Sequence, residues 1–206
     1  MKMTIKKREI SLLLNILIVL FEIFAITLYK PLNCNFFVYY TNLSNIFLFI
    51  TSLIFLYYVL KNKEINKKIQ ILKYSSTVSV TLTFLVVVLV LSWQIKGGLF
   101  LLLFEEPFIY VHTLCPIIAI ITFIFFEHYD LKENINLFYA VIFTIIYAII
   151  TVILNILRII IGPYPFLMVY QQPVMVSILW FIILLLITML IAFILRKLNS
   201  KWGLKK

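Results

Sequence analysis

Six long apolar runs constrain the fold of this chain more than any other feature of its sequence. Hydrophobic residues make up 64% of the chain and charged residues only 13%. A helix that spans lipid needs about 20 apolar residues, because lipid offers no hydrogen-bond partner to the backbone. The runs therefore predict an all-α integral membrane bundle of six transmembrane helices. The predicted spans are Ile10–Leu28, Phe36–Leu60, Lys73–Ile95, Phe108–Phe126, Asn136–Ile161 and Val174–Leu195.

The segments between these spans are short and are marked by charges, prolines or glycines, as in NKEINKK and EHYDLKEN. Sequence repeats and long polar linkers, which mark arrays or separate domains, do not occur. We therefore predict a single transmembrane helical domain over residues 1–206.

The distribution of basic residues predicts the orientation of the bundle. The chain has 18 Lys and Arg residues and a formal net charge of +10. If the N-terminus is cytoplasmic, only Lys30, Lys96 and Arg158 fall on the outer side. By the positive-inside rule, this asymmetry predicts that both termini are cytoplasmic and that the protein resides in the cell membrane. Basic clusters placed in this way suit anionic lipid headgroups, so we expect bilayer lipids rather than nucleic acid as partners.

Rare polar residues in four spans fall in the predicted outer half of the bilayer. They are Glu22, Thr41, His112 and Arg158, and the inner halves of the spans read as almost uniformly aliphatic and aromatic. Polar side chains are costly in lipid and usually face the bundle interior or a wet cavity. We therefore predict a pocket that opens toward the outer side.

Two local patterns support this pocket. In the second span, Thr41, Ser44, Asn45 and Ser52 recur at helical spacings that place them on one face. In the fourth span, Pro116 follows His112 by one helical turn and cannot donate the hydrogen bond that the His112 carbonyl would accept. The sequence therefore predicts a bend of the helix at the histidine.

Three short motifs resemble those of a known family. YYTNLSN, VHTLCP and GPYPF occur in this order along the chain, and they resemble the motifs of the androgen-induced-gene type of multi-pass membrane hydrolases and its bacterial integral-membrane relatives. The resemblance implies hydrolysis of fatty-acid esters of hydroxy fatty acids, or similar lipid esters. It also implies that Thr41 is the nucleophile and His112 its partner. We expect no cofactor.

The residues themselves support the same chemistry, independently of the resemblance. A threonine hydroxyl becomes a nucleophile when a base removes its proton, and His112 is the one histidine within the predicted spans. Against this, a threonine in a membrane helix often bonds only to its own backbone, and a buried histidine is often a structural hydrogen-bonding group. Cys115 is a rival nucleophile, because a thiolate needs less activation than a hydroxyl.

Other polar residues have two interpretations each. Amides of Asn42 and Asn45 either stabilise an oxyanion or join helices by hydrogen bonds. Arg158 either binds the carboxylate of a fatty acid or pairs with Glu22. Tyr164, in the GPYPF turn, either contacts substrate or anchors the protein at the membrane interface.

A metal site is not expected, because His112 and His128 fall near opposite faces of the membrane and no metal-binding motif is present. The alternative to a hydrolase is a small carrier or binding protein for a lipid or another small molecule. Carriers usually have polar residues at the bilayer midplane and a matched repeat of two halves. Polar residues confined to one leaflet therefore favour the hydrolase.

Overall fold

The structure, a computed structural model, describes residues 5–28 and 34–203. These residues form helices, and no strand occurs among them. Six of the described helices are long and apolar enough to cross a membrane. The predicted all-α membrane bundle is thus confirmed. The helices are α1 (Ile5–Leu28), α2 (Tyr40–Leu60), α3 (Lys67–Leu89), α4 (Gly98–Phe104), α5 (Ile109–Phe126), α6 (Ile135–Ile156) and α7 (Val174–Trp202).

Several helix ends differ from the predicted spans. Helix α3 begins at Lys67 rather than Lys73, since the Asn66 side chain accepts a hydrogen bond from the Ile69 N–H and caps the helix. Helix α6 ends at Ile156, before the predicted Ile161. The buried polar face of α2 agrees with the prediction: Thr41, Ser44, Asn45 and Ser52 are all buried.

The short helix α4 was not predicted, and its start depends on two glycines. Gly97 has a φ of 70°, a left-handed conformation that favours glycine. A Cβ atom on Gly98 would lie 2.7 Å from the Ser92 carbonyl oxygen. The glycine pair therefore allows the chain to turn back after α3 and to place α4 beside α5.

Hydrogen bonds near the helix ends show that consecutive long helices run antiparallel. Arg8 donates to the Val59 carbonyl, Lys67 donates to the Asp130 carbonyl at 2.5 Å, and Arg196 donates to the Glu133 carbonyl at 3.1 Å. We call this end of the bundle the basic end. The opposite end, which carries Thr41 and Tyr164, is called the tyrosine end. Helix α1 begins and helix α7 ends at the basic end.

The half of the bundle toward the basic end is not uniformly apolar, so that expectation was wrong. Lys73 is fully buried, and its Nζ atom donates to Asn15 Oδ1 at 2.6 Å and to Ser52 Oγ at 2.7 Å. Asn15 Nδ2 in turn donates to Glu127 Oε1 at 2.9 Å, and the Tyr129 hydroxyl donates to Glu127 Oε2 at 2.6 Å. A buried lysine and a buried carboxylate are thus joined through one asparagine.

The orientation of the bundle is testable with single cysteines. Lys63 lies in an exposed loop at the basic end, and Lys96 is exposed in the segment between α3 and α4. In a background without Cys34 and Cys115, we expect a membrane-impermeant maleimide to label Lys96→Cys on intact cells and Lys63→Cys only after permeabilisation. The reverse pattern would place the basic end outside.

The buried Lys73–Asn15–Glu127 connection predicts a coupled loss of stability. Lys73→Met leaves the Glu127 carboxylate without its balancing charge, and such a loss costs about 3 kcal/mol or more. Adding Glu127→Gln removes the second charge, so the double variant should lose less than the sum of the two single variants. Reversible unfolding in mixed micelles measures both values, and additive losses would show that the two charges do not interact.

Candidate functional site

The first turn of α2 places Thr41 at the tyrosine end of the bundle. Tyr39 has extended backbone angles and the helix starts at Tyr40, so the N–H groups of the first turn have no partner within the helix. The Thr41 N–H donates instead to the Tyr164 hydroxyl oxygen at 3.2 Å. The same hydroxyl lies 3.3 Å from Thr41 Oγ1. Tyr164 thus contacts both the backbone and the side chain of Thr41.

The GPYPF turn holds Tyr164 in this position. A Cβ atom on Gly162 would lie 2.3 Å from the Leu167 carbonyl oxygen, so only glycine fits where the turn folds back on itself. The Tyr164 ring stacks on the Phe166 ring, with centroids 5.2 Å apart and an interplanar angle of 11°. Both rings are buried. Burial raises the pKa of Tyr164, so its phenol stays protonated at neutral pH and can donate a hydrogen bond.

Thr41 and Tyr164 line a mainly apolar cavity between α2, α3, α6 and α7. The cavity contains about 680 Å³ of empty space, a volume that includes the open space at its mouth. On α7 its wall consists of Phe181, Leu184 and Leu185, which are only half-buried. This side of the cavity therefore reaches the surface that would face lipid. Its other polar side chains include Thr83 and Thr144.

Helix α5 is irregular at His112, where the sequence predicted a bend. The segment Ile109–Leu114 is π-helical, and the Cys115 N–H donates to the Tyr110 carbonyl, five residues earlier. Pro116 has no N–H and cannot close the next α-helical hydrogen bond. π-Helical turns are uncommon and are often found at functional sites.

The side chain of His112 faces α4. Its Nδ1 atom lies 2.8 Å from the Leu102 carbonyl oxygen, and its ring stacks on the Phe108 ring with centroids 5.5 Å apart. A carbonyl oxygen can only accept a hydrogen bond, so Nδ1 carries the hydrogen and Nε2 carries the lone pair. This is the tautomer that a general base needs at Nε2.

Asn45 joins the backbone of α2 at Thr41 to the backbone of α5 at Val111, the residue before His112. Its Nδ2 atom donates to the Thr41 carbonyl at 2.8 Å and to the Val111 carbonyl at 3.0 Å. Both N–H groups of this amide are therefore in use, as expected for a residue that joins helices. The amide of Asn42 donates to the Phe36 carbonyl at 2.9 Å.

The side chains of the predicted dyad do not form a hydrogen bond with each other. Thr41 and His112 are both within the described residues, and the hydrogen bonds formed by their side chains go to Tyr164 and Leu102 respectively. His112 is also absent from the lining of the cavity that Thr41 lines. Cys115, the rival nucleophile, has a free buried thiol next to the Glu22 carboxyl and does not line this cavity either.

Arg158 lies outside the membrane helix in which the sequence placed it. It follows the end of α6 with a φ of 58°, and its guanidinium carbon lies 4.9 Å from the centroid of the Tyr170 ring. With Asn155 and Gln171 it lines an open groove. The alternative pairing with Glu22 is not formed: within residues 5–28 and 34–203, the only salt bridge joins Lys67 and Glu133.

Comparison with known proteins does not identify the chain, because no protein-family model, curated protein or solved structure matches it. The resemblance carried by the three motifs therefore stays a prediction. In the part of the chain that the structure describes, no group of three or more His, Cys, Asp or Glu side chains is placed to hold a metal ion.

The contact between Tyr164 and Thr41 predicts a measurable stability effect. Tyr164→Phe removes the hydroxyl and leaves the buried Thr41 N–H without an acceptor, which costs about 1 kcal/mol. Thermal or denaturant unfolding of the purified protein measures this loss. The matched control is Tyr139→Phe on the exposed side of α6, which should change stability little. Equal effects of the two substitutions would contradict the contact.

Proposed function

We propose that the protein is a membrane-embedded hydrolase of lipid esters, with Thr41 as the nucleophile and His112 as the general base. One observation carries the proposal: the Thr41 hydroxyl lies on the wall of an apolar cavity that reaches the lipid-facing surface. An acyl chain is compatible with such a cavity. Its ester carbonyl would then meet the few polar groups of the wall, which include Thr41 and Tyr164.

In this mechanism, Thr41 Oγ1 attacks the ester carbonyl carbon while its proton moves to His112 Nε2. The resulting tetrahedral intermediate collapses to an acyl-threonine, and the leaving alcohol takes the proton from His112. Water then attacks the acyl-threonine while His112 accepts a proton from it, and His112 returns this proton to Thr41 Oγ1 as the fatty acid leaves. Each step transfers one proton between the imidazole and an oxygen, so no cofactor is needed.

The first turn of α2 and Tyr164 provide donors for the oxyanion in this scheme. The Thr41 N–H belongs to a helix N-terminus, where the helix dipole favours negative charge. Its present acceptor is the Tyr164 hydroxyl. A substrate carbonyl oxygen that replaced this acceptor would have the Thr41 N–H and the Tyr164 O–H as its two donors. Loss of one donor of this kind typically reduces the rate by about 100-fold or more.

The proposal requires His112 to approach Thr41. Catalytic hydrogen bonds are often long in a structure without substrate and shorten only in the reactive complex, where the base lies within about 3 Å. Two features support such an approach. Asn45 keeps the Thr41 and Val111 backbones adjacent, and the π-helical turns around His112 are the part of α5 that can change its hydrogen-bond register.

The groove at Arg158 supports a substrate with a free carboxylate. The guanidinium lies over an aromatic ring, and a carboxylate can bind to its N–H groups. Fatty-acid esters of hydroxy fatty acids carry such a carboxylate. The lipid would then have its ester at Thr41 and its acid group at Arg158.

The second candidate function is a carrier or binding protein for a lipid or another small molecule. It is favoured by the buried connection between Lys73 and Glu127 in the half of the bundle toward the basic end, because ionisable residues inside a membrane often mark ion or proton pathways. In this case the pair of Thr41 and Tyr164 would hold a solute without reacting with it.

Hydrolysis is tested on a panel of lipid esters with purified protein. We expect Thr41→Ala and His112→Gln to reduce kcat/KM by about 100-fold or more, because each removes a group that acts in the transition state. Thr41→Ser keeps a hydroxyl and should retain measurable activity. The matched control is Thr144→Val, since Thr144 lines the same cavity and its hydroxyl bonds to Tyr40 at 2.7 Å rather than to Thr41.

A fluorophosphonate probe gives a second readout, because it should label wild type and not Thr41→Ala. Hydrolysis by both dyad variants at the wild-type rate would rule out the proposed dyad. Solute flux into proteoliposomes, without ester cleavage, would favour the carrier.

A further inference from the structure

A second, smaller cavity lies on the other side of α2, between α1, α2 and α5. It is lined by Glu22 of α1 and by Asn42 and Asn45 of α2, and its remaining lining residues are apolar. It has room for about one water-sized guest. Glu22 and Asn45 are each 1% exposed. Both polar side chains are therefore buried, and the wall of the cavity contains a carboxyl group.

Two oxygen atoms of this wall have no hydrogen-bond partner. They are Glu22 Oε1 and Asn45 Oδ1, which are among the buried unpartnered atoms of the described residues. The two belong to different helices and do not bond to each other. The amide N–H groups of Asn45 donate to backbone carbonyls, and Asn42 Nδ2 also donates to a carbonyl. The polar part of the wall thus offers acceptors toward the cavity.

Among residues 5–28 and 34–203, no Lys, Arg or His lines the cavity, so none of these side chains balances the charge of the carboxyl group there. An ionised carboxylate that is buried without a partner is strongly disfavoured. A proton on Glu22 together with one bound water molecule would satisfy both oxygens. A single small cation does so alone, because it balances the charge of the carboxylate and binds both oxygens, and carboxylate and amide oxygens are the ligands that hard cations prefer.

We propose that Glu22 and Asn45 bind one small monovalent cation of the size of Na⁺ between α1 and α2. Asn45 is also the residue whose amide holds the Thr41 carbonyl and the Val111 carbonyl. An ion on its Oδ1 atom fixes the orientation of this amide. It therefore stabilises the junction of α1, α2 and the π-helical start of α5. This site differs from a histidine or cysteine metal site, and it does not depend on the protein being a hydrolase.

The test measures thermal unfolding of the purified full-length protein in nanodiscs. NaCl is titrated against N-methyl-D-glucamine chloride at constant ionic strength and constant pH, and KCl is the third salt. We expect Na⁺ to raise the unfolding temperature in a saturable manner and K⁺ to do so more weakly. In Glu22→Gln and in Asn45→Leu, the apparent affinity for Na⁺ should fall by about tenfold or more. Glu105→Gln, which changes an exposed carboxylate, should respond like wild type.

Each other outcome overturns the inference. Equal unfolding temperatures in the three salts would mean that Glu22 is neutral and that the cavity holds at most water. A sodium effect that persists in both Glu22→Gln and Asn45→Leu would place the ion elsewhere. The two variants change the site from different helices, so the test does not depend on both of them folding.

Discussion

Polar groups buried in lipid must find their partners within the bundle, and this constraint organises the whole protein. Helix α1 shows it most simply, since Ser11, Asn15 and Glu22 share its buried stripe with Ile18. Asn15 finds its partners in Lys73 and Glu127, so the stripe joins α1 to α3 and to the end of α5. The free energy of this network depends on complete pairing, because each unpaired charge in it would cost several kcal/mol. The packing of the long helices and their polar contacts therefore support each other.

The candidate site depends on the same constraint at the tyrosine end. The amide of Asn45 bonds to two backbone carbonyls on different helices, and this fixes the start of α2 against the π-helical turns of α5. One turn before Asn45, Thr41 forms hydrogen bonds with the Tyr164 hydroxyl at the wall of the larger cavity. Helix α2 thus separates an apolar cavity that suits an acyl chain from a small compartment with a carboxylate. One short polar segment, residues 39–45, contributes to both.

Composition and spacing predicted the membrane bundle and the polar face of α2, because these follow from local sequence. The predicted bend at His112 falls in the π-helical segment of α5. The sequence did not reveal the burial of Lys73 and Glu127, since both residues fall at the ends of apolar runs, where charges normally meet headgroups. Arg158 was misplaced because α6 ends early. The Asn155 side chain bonds to the Ile160 carbonyl and to the Val169 N–H and thereby holds the loop that follows. The contact of Thr41 with Tyr164 depends on tertiary packing. The residue spacing within YYTNLSN and GPYPF, the motifs that contain these two residues, does not predict it.

The two candidate functions differ in what they require of the contact between Thr41 and Tyr164. A binding protein can keep Thr41 paired with Tyr164, because a solute needs only the apolar walls and a few hydroxyl groups. A hydrolase must exchange that partner, since the hydroxyl has to pass its proton to His112, whose Nδ1 is bound to the Leu102 carbonyl. The tautomer that this bond fixes leaves the Nε2 lone pair free for the purpose. Catalysis therefore requires a shift of the π-helical turns that keeps the hydrogen bond of His112 Nδ1 and brings Nε2 to Thr41. During that shift, the hydrogen bonds of Asn45 to the Thr41 and Val111 carbonyls limit how far the backbones of α2 and α5 can separate.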